Sequence, residues 1–170
     1  MKLDEIIRAI PDYPKPGVIF RDITTVLKNA EAFKLSIDEM TKAVSGIDFD
    51  LILGTESRGF IFGTPLAYNL GKGFVPVRKA GKLPYKKLSK SYSLEYGEAT
   101  VEIHEDAIEK GQRVLIVDDL LATGGTAKAT AELAAEMGGV VAAMCFLVEL
   151  AGLGGREVNK DYVIKSILTY

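Results

Sequence analysis

Two adjacent carboxylates, Asp118 and Asp119, follow the apolar run 114–117, and a short segment, Ala122, Thr123, Gly124, Gly125 and Thr126, opens an alanine-rich stretch. With the run as a buried strand and the stretch as a helix, this segment lies at the carboxyl edge of an α/β sheet, where such sheets bind ligands. Gly124 and Gly125 let the backbone approach an anion closely and turn its N–H groups toward it. Thr123 and Thr126 add hydroxyl donors, and the helix start adds positive dipole. Together these parts make a cradle for a terminal phosphate. The carboxylates would repel that phosphate, but they can accept hydrogen bonds from vicinal ribose hydroxyls or hold a hydrated Mg²⁺. The segment therefore suits a phosphorylated sugar. There is no G-x-x-x-x-G-K-S/T loop and no G-x-G-x-x-G after a strand, so neither a nucleoside triphosphatase nor a dinucleotide enzyme is supported.

Two basic groups stand apart from this segment. Arg58 follows Ser57 and precedes Gly59 in a turn after the apolar run 51–54. A guanidinium beside a glycine suits a diphosphate, although an arginine at a helix start is also an ordinary surface residue. Arg78, Lys79 and Lys82 form the second group, which taken alone reads as a solvated face. The chain has one histidine, His104, and one cysteine, Cys145, so a zinc site or a Cys-His dyad is nearly excluded. Cys145 lies inside the apolar run 140–148 and reads as a buried structural thiol. His104 has no identifiable partner and reads as structural or exposed.

Four continuous apolar runs, 51–54, 74–77, 114–117 and 140–148, have the character of strands buried on both faces. Helical stretches are expected after the first run, up to Leu70, and over 126–137. At 30–44, Phe33, Ile37, Met40 and Val44 recur at helical spacing. Strands alternating with helices predict an α/β fold with a central, mostly parallel sheet flanked by helices. Residues 4–10 read as a short amphipathic helix closed by Pro11. The Pro-Gly loop 14–17 then leads into the extended run 18–20, which makes 1–28 a small cap. Between 80 and 106, Lys82, Lys86, Lys87 and Lys90 precede Tyr92 to Gly97 and an alternating stretch ending at His104. This reads as an inserted hairpin, and long polar insertions of this kind are often lids.

At 170 residues and 48% hydrophobic content, the chain is expected to form a single domain, 1–170. Its 21 basic and 23 acidic residues give a net charge of -2, which leaves no global field for holding nucleic acid. Charges in the first eight residues argue against a secretory segment, no stretch is long enough to span a bilayer, and the cysteine usage fits a reducing cytoplasm.

The segment 114–126 resembles the phosphoribosyl-pyrophosphate motif of the type I phosphoribosyltransferases. Four further segments, 20–23, 57–60, 78–84 and 92–97, make the wider match similar to the adenine-specific members of that family. That resemblance implies a transfer from 5-phosphoribosyl 1-pyrophosphate to adenine that yields AMP and pyrophosphate, in a Mg²⁺-dependent homodimer. It assigns Asp118 and Asp119 to the ribose, 122–126 to the 5′-phosphate, and Ser57, Arg58, Arg78, Lys79 and Lys82 to pyrophosphate. Ile19, Phe20, Arg21, Leu121 and Ala122 would contact adenine, although Ile19 and Phe20 on their own read as core. Glu95 would be the catalytic lid residue, meeting the base near the nitrogen that loses a proton, with Tyr92 and Tyr96 packing in the lid. Mg²⁺ would be held mainly by substrate and water, with Asp118 and Asp119 as possible ligands. Two rival readings are a phosphoribosyltransferase for another base and a non-catalytic, nucleic-acid-binding sensor of the same sugar phosphate. The cap, the lid and the near-neutral charge argue against both.

Overall fold

Near the amino terminus, short extended segments satisfy their backbone groups by pairing with each other. In the computed structural model, which describes residues 1–94 and 96–170, the chain divides into two units, Met1–Glu39 and Met40–Tyr170. In the first unit, helix α1 covers only Leu3–Ile6. Strand β1 (Arg8–Pro11) pairs antiparallel with β2 (Ile19–Asp22), from Arg8 opposite Asp22 to Pro11 opposite Ile19. The expected helix over 4–10 is thus wrong beyond Ile6. Ile6, Ile7 and Ile10 have helical spacing, but a single turn is marginal alone, and β2 offers non-local partners that periodicity cannot reveal. Pro11, which has no N–H, takes the terminal position of its strand. The connecting loop is held by the Gly17 N–H donating to Asp12 Oδ1 (2.8 Å) and by Tyr13 packed edge-on to Phe20, ring centroids 5.3 Å apart. Helix α2 (Thr24–Leu27) follows, with Asp22 Oδ1 accepting from the Thr24 N–H at 2.9 Å. The boundary between the units falls within α3 (Ala30–Ala43), whose Ile37 and Met40 are buried, as is Val44 just beyond it.

The second unit is built on seven strands. They are β3 (Leu51–Thr55), β4 (Gly73–Lys79), β5 (Lys87–Ser93), β6 (Glu98–His104), β7 (Arg113–Leu121), β8 (Val140–Glu149) and β9 (Ile164–Thr169). Their order across the sheet is β5-β6-β4-β3-β7-β8-β9. The run from β4 to β9 is parallel, while the β5–β6 hairpin joins β4 antiparallel. The expected α/β sheet is therefore present, with all four apolar runs inside parallel strands. Ile52, Leu53, Leu115, Ile116, Met144 and Leu147 are wholly buried, as continuous apolar strands between layers require. Helices α4 (Arg58–Leu70), α5 (Gly125–Glu136) and α6 (Gly155–Val158) complete the unit. Strand β7 runs four residues past its apolar run, so the carboxylates lie inside it, still paired with β8.

Cys145 is buried in β8, and burial pushes its thiol up to about 12, which makes it chemically inert. At the end of the same strand, Glu149 accepts two hydrogen bonds from Arg156, Nε to Oε1 at 2.9 Å and Nη2 to Oε2 at 2.6 Å. These bonds outweigh burial and hold the Glu149 carboxyl below its ordinary value of 4.5. A carboxylate depressed in the folded state stabilises the fold above the unfolded value and stops doing so as pH falls through the folded one. Arg156→Ala is expected to cost about 1–2 kcal/mol at neutral pH, a modest figure because the arginine is half exposed. Melting curves should show that deficit shrinking below about pH 4.5; a deficit independent of pH would mean that Arg156 acts by packing alone.

Candidate active site

The topology dictates where a ligand can sit. From β3 the chain crosses through α4 to β4 on one side, and from β7 it crosses through α5 to β8 on the other. The crevice between the carboxyl ends of β3 and β7 is thus the switch point of the sheet, where neither crossover blocks access. A cavity of about 300 Å³ opens there, lined by the end of β3 and the turn after it, the end of β4, Tyr92, the end of β7, and the start of α5.

At the start of α5, Gly124 precedes the helix in the left-handed region at φ 85°, and 122–126 all line the cavity. Tyr92, on β5, exchanges a 2.7 Å hydrogen bond between its hydroxyl and that of Thr126, so the hairpin is fastened to the start of α5. Lys90 adds an ion pair to Glu136 at 2.6 Å. In the middle, Asp119 is buried, and its Oδ2 accepts from Arg58 Nε at 2.5 Å. Asp118 lies beside it, and its Oδ1 accepts from the Asp119 N–H at 2.8 Å. Burial, and then the neighbouring Asp119 charge, push the Asp118 carboxyl well above the usual carboxylate range. The Asp119 carboxylate also raises Arg58, and for a guanidinium a raised value means that it stays charged.

At the opposite end, Ser57, Arg58, Arg78 and Lys79 also line the cavity. Glu56 organises this end, and the sequence reading passed over it. Its nearly buried carboxylate accepts from the Lys79 N–H, from Arg78 Nη2 at 3.3 Å and from Lys82 Nζ at 3.0 Å. Burial alone would raise Glu56, but these donors outweigh it and hold the carboxyl below its ordinary value. An acid among bases is invisible to a search for anion-binding residues, although it is what gathers the bases together. Arg78 Nε remains buried and unpaired among the described residues.

Not all of the other expected site residues are among those that line this cavity. Lys82 does not line the cavity and reaches it only through Glu56. Tyr96 is exposed and apart from the cavity lining. Ile19, Phe20 and Arg21 lie on β2 of the first unit, with Ile19 half exposed. Leu121 and Ala122 line the cavity, whereas Glu95 lies outside the described residues. His104 is a hairpin residue whose Nε2 accepts from the Tyr85 N–H at 3.4 Å, away from the cavity.

Comparison with known proteins narrows the chemistry. Residues 24–169 match the phosphoribosyl transferase domain family. The adenine phosphoribosyltransferase of Pseudothermotoga lettingae is 58% identical over 170 residues, covering 100% of both chains. The chain belongs to the adenine phosphoribosyltransferase family. Within that family, the crystal structure from Thermoanaerobacter pseudethanolicus superimposes with a TM-score of 0.95 at 56% identity, covering 99% of this chain and 100% of its own. The Saccharomyces cerevisiae member, solved with adenine and an imino-altritol bisphosphate, superimposes with a TM-score of 0.91 at 38% identity, covering 97% of this chain and 96% of its own.

Proposed function

We propose that the chain transfers the 5-phosphoribosyl group of 5-phosphoribosyl 1-pyrophosphate to adenine, releasing AMP and pyrophosphate in purine salvage. The observation that carries this reading is what one cavity brings together: a Gly/Thr helix start, two adjacent carboxylates and a cluster of cations. These are the groups that a 5′-phosphate, ribose hydroxyls and a diphosphate call for. In the reaction, the bond from C1′ to the pyrophosphate oxygen breaks and adenine N9 bonds to C1′ as N9 loses its proton. Positive charge gathers on the ribose ring, and negative charge on the leaving group.

Segment 122–126 binds the 5′-phosphate, and Asp118 and Asp119 accept hydrogen bonds from the ribose hydroxyls. Ser57, Arg58, Arg78 and Lys79 receive the pyrophosphate, with Lys82 held nearby by Glu56. Of the residues expected at the base, Leu121 and Ala122 line this cavity. The resemblance assigns the nitrogen that gives up its proton to Glu95, and Tyr92 and Tyr96 to the lid.

A divalent cation fits this donor set in a particular way. Among the described residues no group of three His, Cys, Asp or Glu side chains is placed to hold a metal, and Asp119 is engaged by Arg58. Mg²⁺ would therefore be held mainly by substrate oxygens and water, with Asp118 and Asp119 as the carboxylates in reach. When bound, it neutralises the diphosphate. We assign the working form as a cytoplasmic homodimer. No described helix is long and apolar enough to cross a membrane.

Arg58→Ala is expected to weaken pyrophosphate binding by about tenfold or more while changing AMP affinity much less. Calorimetric titration of both ligands checks this, and equal affinities in variant and parent would remove Arg58 from the pyrophosphate site. The reading as a whole is tested with a substrate panel of adenine, hypoxanthine, guanine, xanthine and orotate, each offered with phosphoribosyl pyrophosphate and Mg²⁺. AMP as the one product is expected. Another nucleotide would overturn the base assignment, and no product despite substrate binding would favour a sensor.

A further inference from the structure

The phosphate loop rests on a residue that does not line the cavity. Asn159, just after α6, is 1% exposed. Its Nδ2 donates to the Gly124 carbonyl at 3.1 Å and to the Gly155 carbonyl at 3.0 Å. Two carbonyl acceptors fix the orientation of this amide, because the reversed form would set Oδ1 against both oxygens. Oδ1 has no partner among the described residues. A buried acceptor left unpaired is costly, and an apolar side chain of similar volume would avoid that cost. What the position supplies is therefore its pair of N–H donors.

The consequence for the loop follows from peptide geometry. In a trans peptide the carbonyl of one residue and the N–H of the next point in opposite directions. The Gly124 carbonyl accepts from the Lys128 N–H of α5 at 3.0 Å as well as from Asn159, and the two donors together turn the Gly125 N–H the other way, toward the cavity that Gly124 and Gly125 line. Gly124 has little room to adjust. It sits at φ 85°, and a Cβ there would come within 2.7 Å of Asn159 Nδ2 and 2.8 Å of the Gly155 backbone. The α6 turn is itself anchored, since Arg156 grips Glu149 at the end of β8, the strand beside β7.

We infer that Asn159 is a positioning residue of the phosphate loop, which aims the Gly125 N–H at the phosphate of a 5-phosphorylated ribose by pinning the Gly124 carbonyl. This inference rests on the phosphoribosyl reading above, and its test keeps the two separable. Ribose 5-phosphate probes the loop, and pyrophosphate probes the Arg58 end of the same cavity.

Calorimetric titration of the full chain with each ligand, beside melting curves, makes the comparison. In Asn159→Leu, which keeps the volume and loses the donors, affinity for ribose 5-phosphate should fall by about tenfold or more, with pyrophosphate affinity within about twofold of the parent. Asn159→Asp should lose more, because a carboxylate would face two carbonyl oxygens. Should either fail to fold, Asn159→Ser keeps one donor in a smaller side chain and should show a smaller loss of the same selectivity. Parent protein that binds ribose 5-phosphate, with folded variants that bind it equally well, would overturn the inference and leave the phosphoribosyl reading intact. So would parallel weakening of both ligands, which would make Asn159 a residue of the fold alone. Parent protein that does not bind ribose 5-phosphate would remove the reading itself, and the inference with it.

Discussion

Replacing Asp118 and Asp119 together by Asn should abolish turnover, lowering kcat by at least about a thousandfold while the fold survives. Both amides keep the shape of the carboxylates, and their effects on stability oppose each other. Asp118 is held well above the ordinary carboxylate range by burial and by Asp119, so neutralising the pair relieves a repulsion. Against this stands the loss of the 2.5 Å ion pair from Asp119 to Arg58. Function has no such compensation, because an amide NH₂ cannot accept a ribose hydroxyl proton and cannot balance charge on the ring. Circular dichroism and melting would establish that the double variant is folded before activity is read. Substantial turnover in a folded double variant would take the ribose role away from this pair.

The second large effect is expected from Gly59→Ala. Its importance lies in space: a Cβ at Gly59 would stand 2.8 Å from the Val117 carbonyl and 3.2 Å from Asp118 Oδ1. The first of these neighbours is backbone, so the start of α4 and the strand β7 would have to separate. Overpacking of this kind costs about 1–3 kcal/mol. The functional loss should be larger, because this contact joins the turn that carries Arg58 to the strand that carries the carboxylates. A loss of about a hundredfold in kcat/KM, with a melting temperature only a few degrees lower, is the expected outcome. Parent-like kinetics would mean that α4 shifts freely against the sheet.

How much of this could be read from the sequence depended on where each element finds its partners. Strands β3, β4, β7 and β8 are visible because each carries a continuous apolar run, and β3, β7 and β8 are largely buried. Strand β9 went unassigned. It lies at the sheet edge, and Lys165, Ser166 and Thr169 break its apolar character, so only pairing with β8 defines it. Residues 8–10 read as helix because their strand partners, 20–22, lie beyond the reach of local periodicity. That 122–126 and the carboxylates share one cavity was legible because they stand in one contiguous segment. Glu56 and Asn159 were not. One carries the wrong charge for an anion site, and the other is an unremarked amide 35 residues from the carbonyl it holds. Both act on other protein groups, and such roles exist only once the chain has folded.

The state of Cys145 has a practical side. A chain whose one thiol is buried in a central strand and pushed up to about 12 presents thiol reagents with nothing to attack under native conditions. It is in effect a ready-made background for single-site chemistry. A cysteine introduced at exposed Ser93, near the tip of the hairpin, would take a fluorophore or spin label alone, and its signal would report whether the Tyr92 and Lys90 fastenings hold or release as substrates arrive.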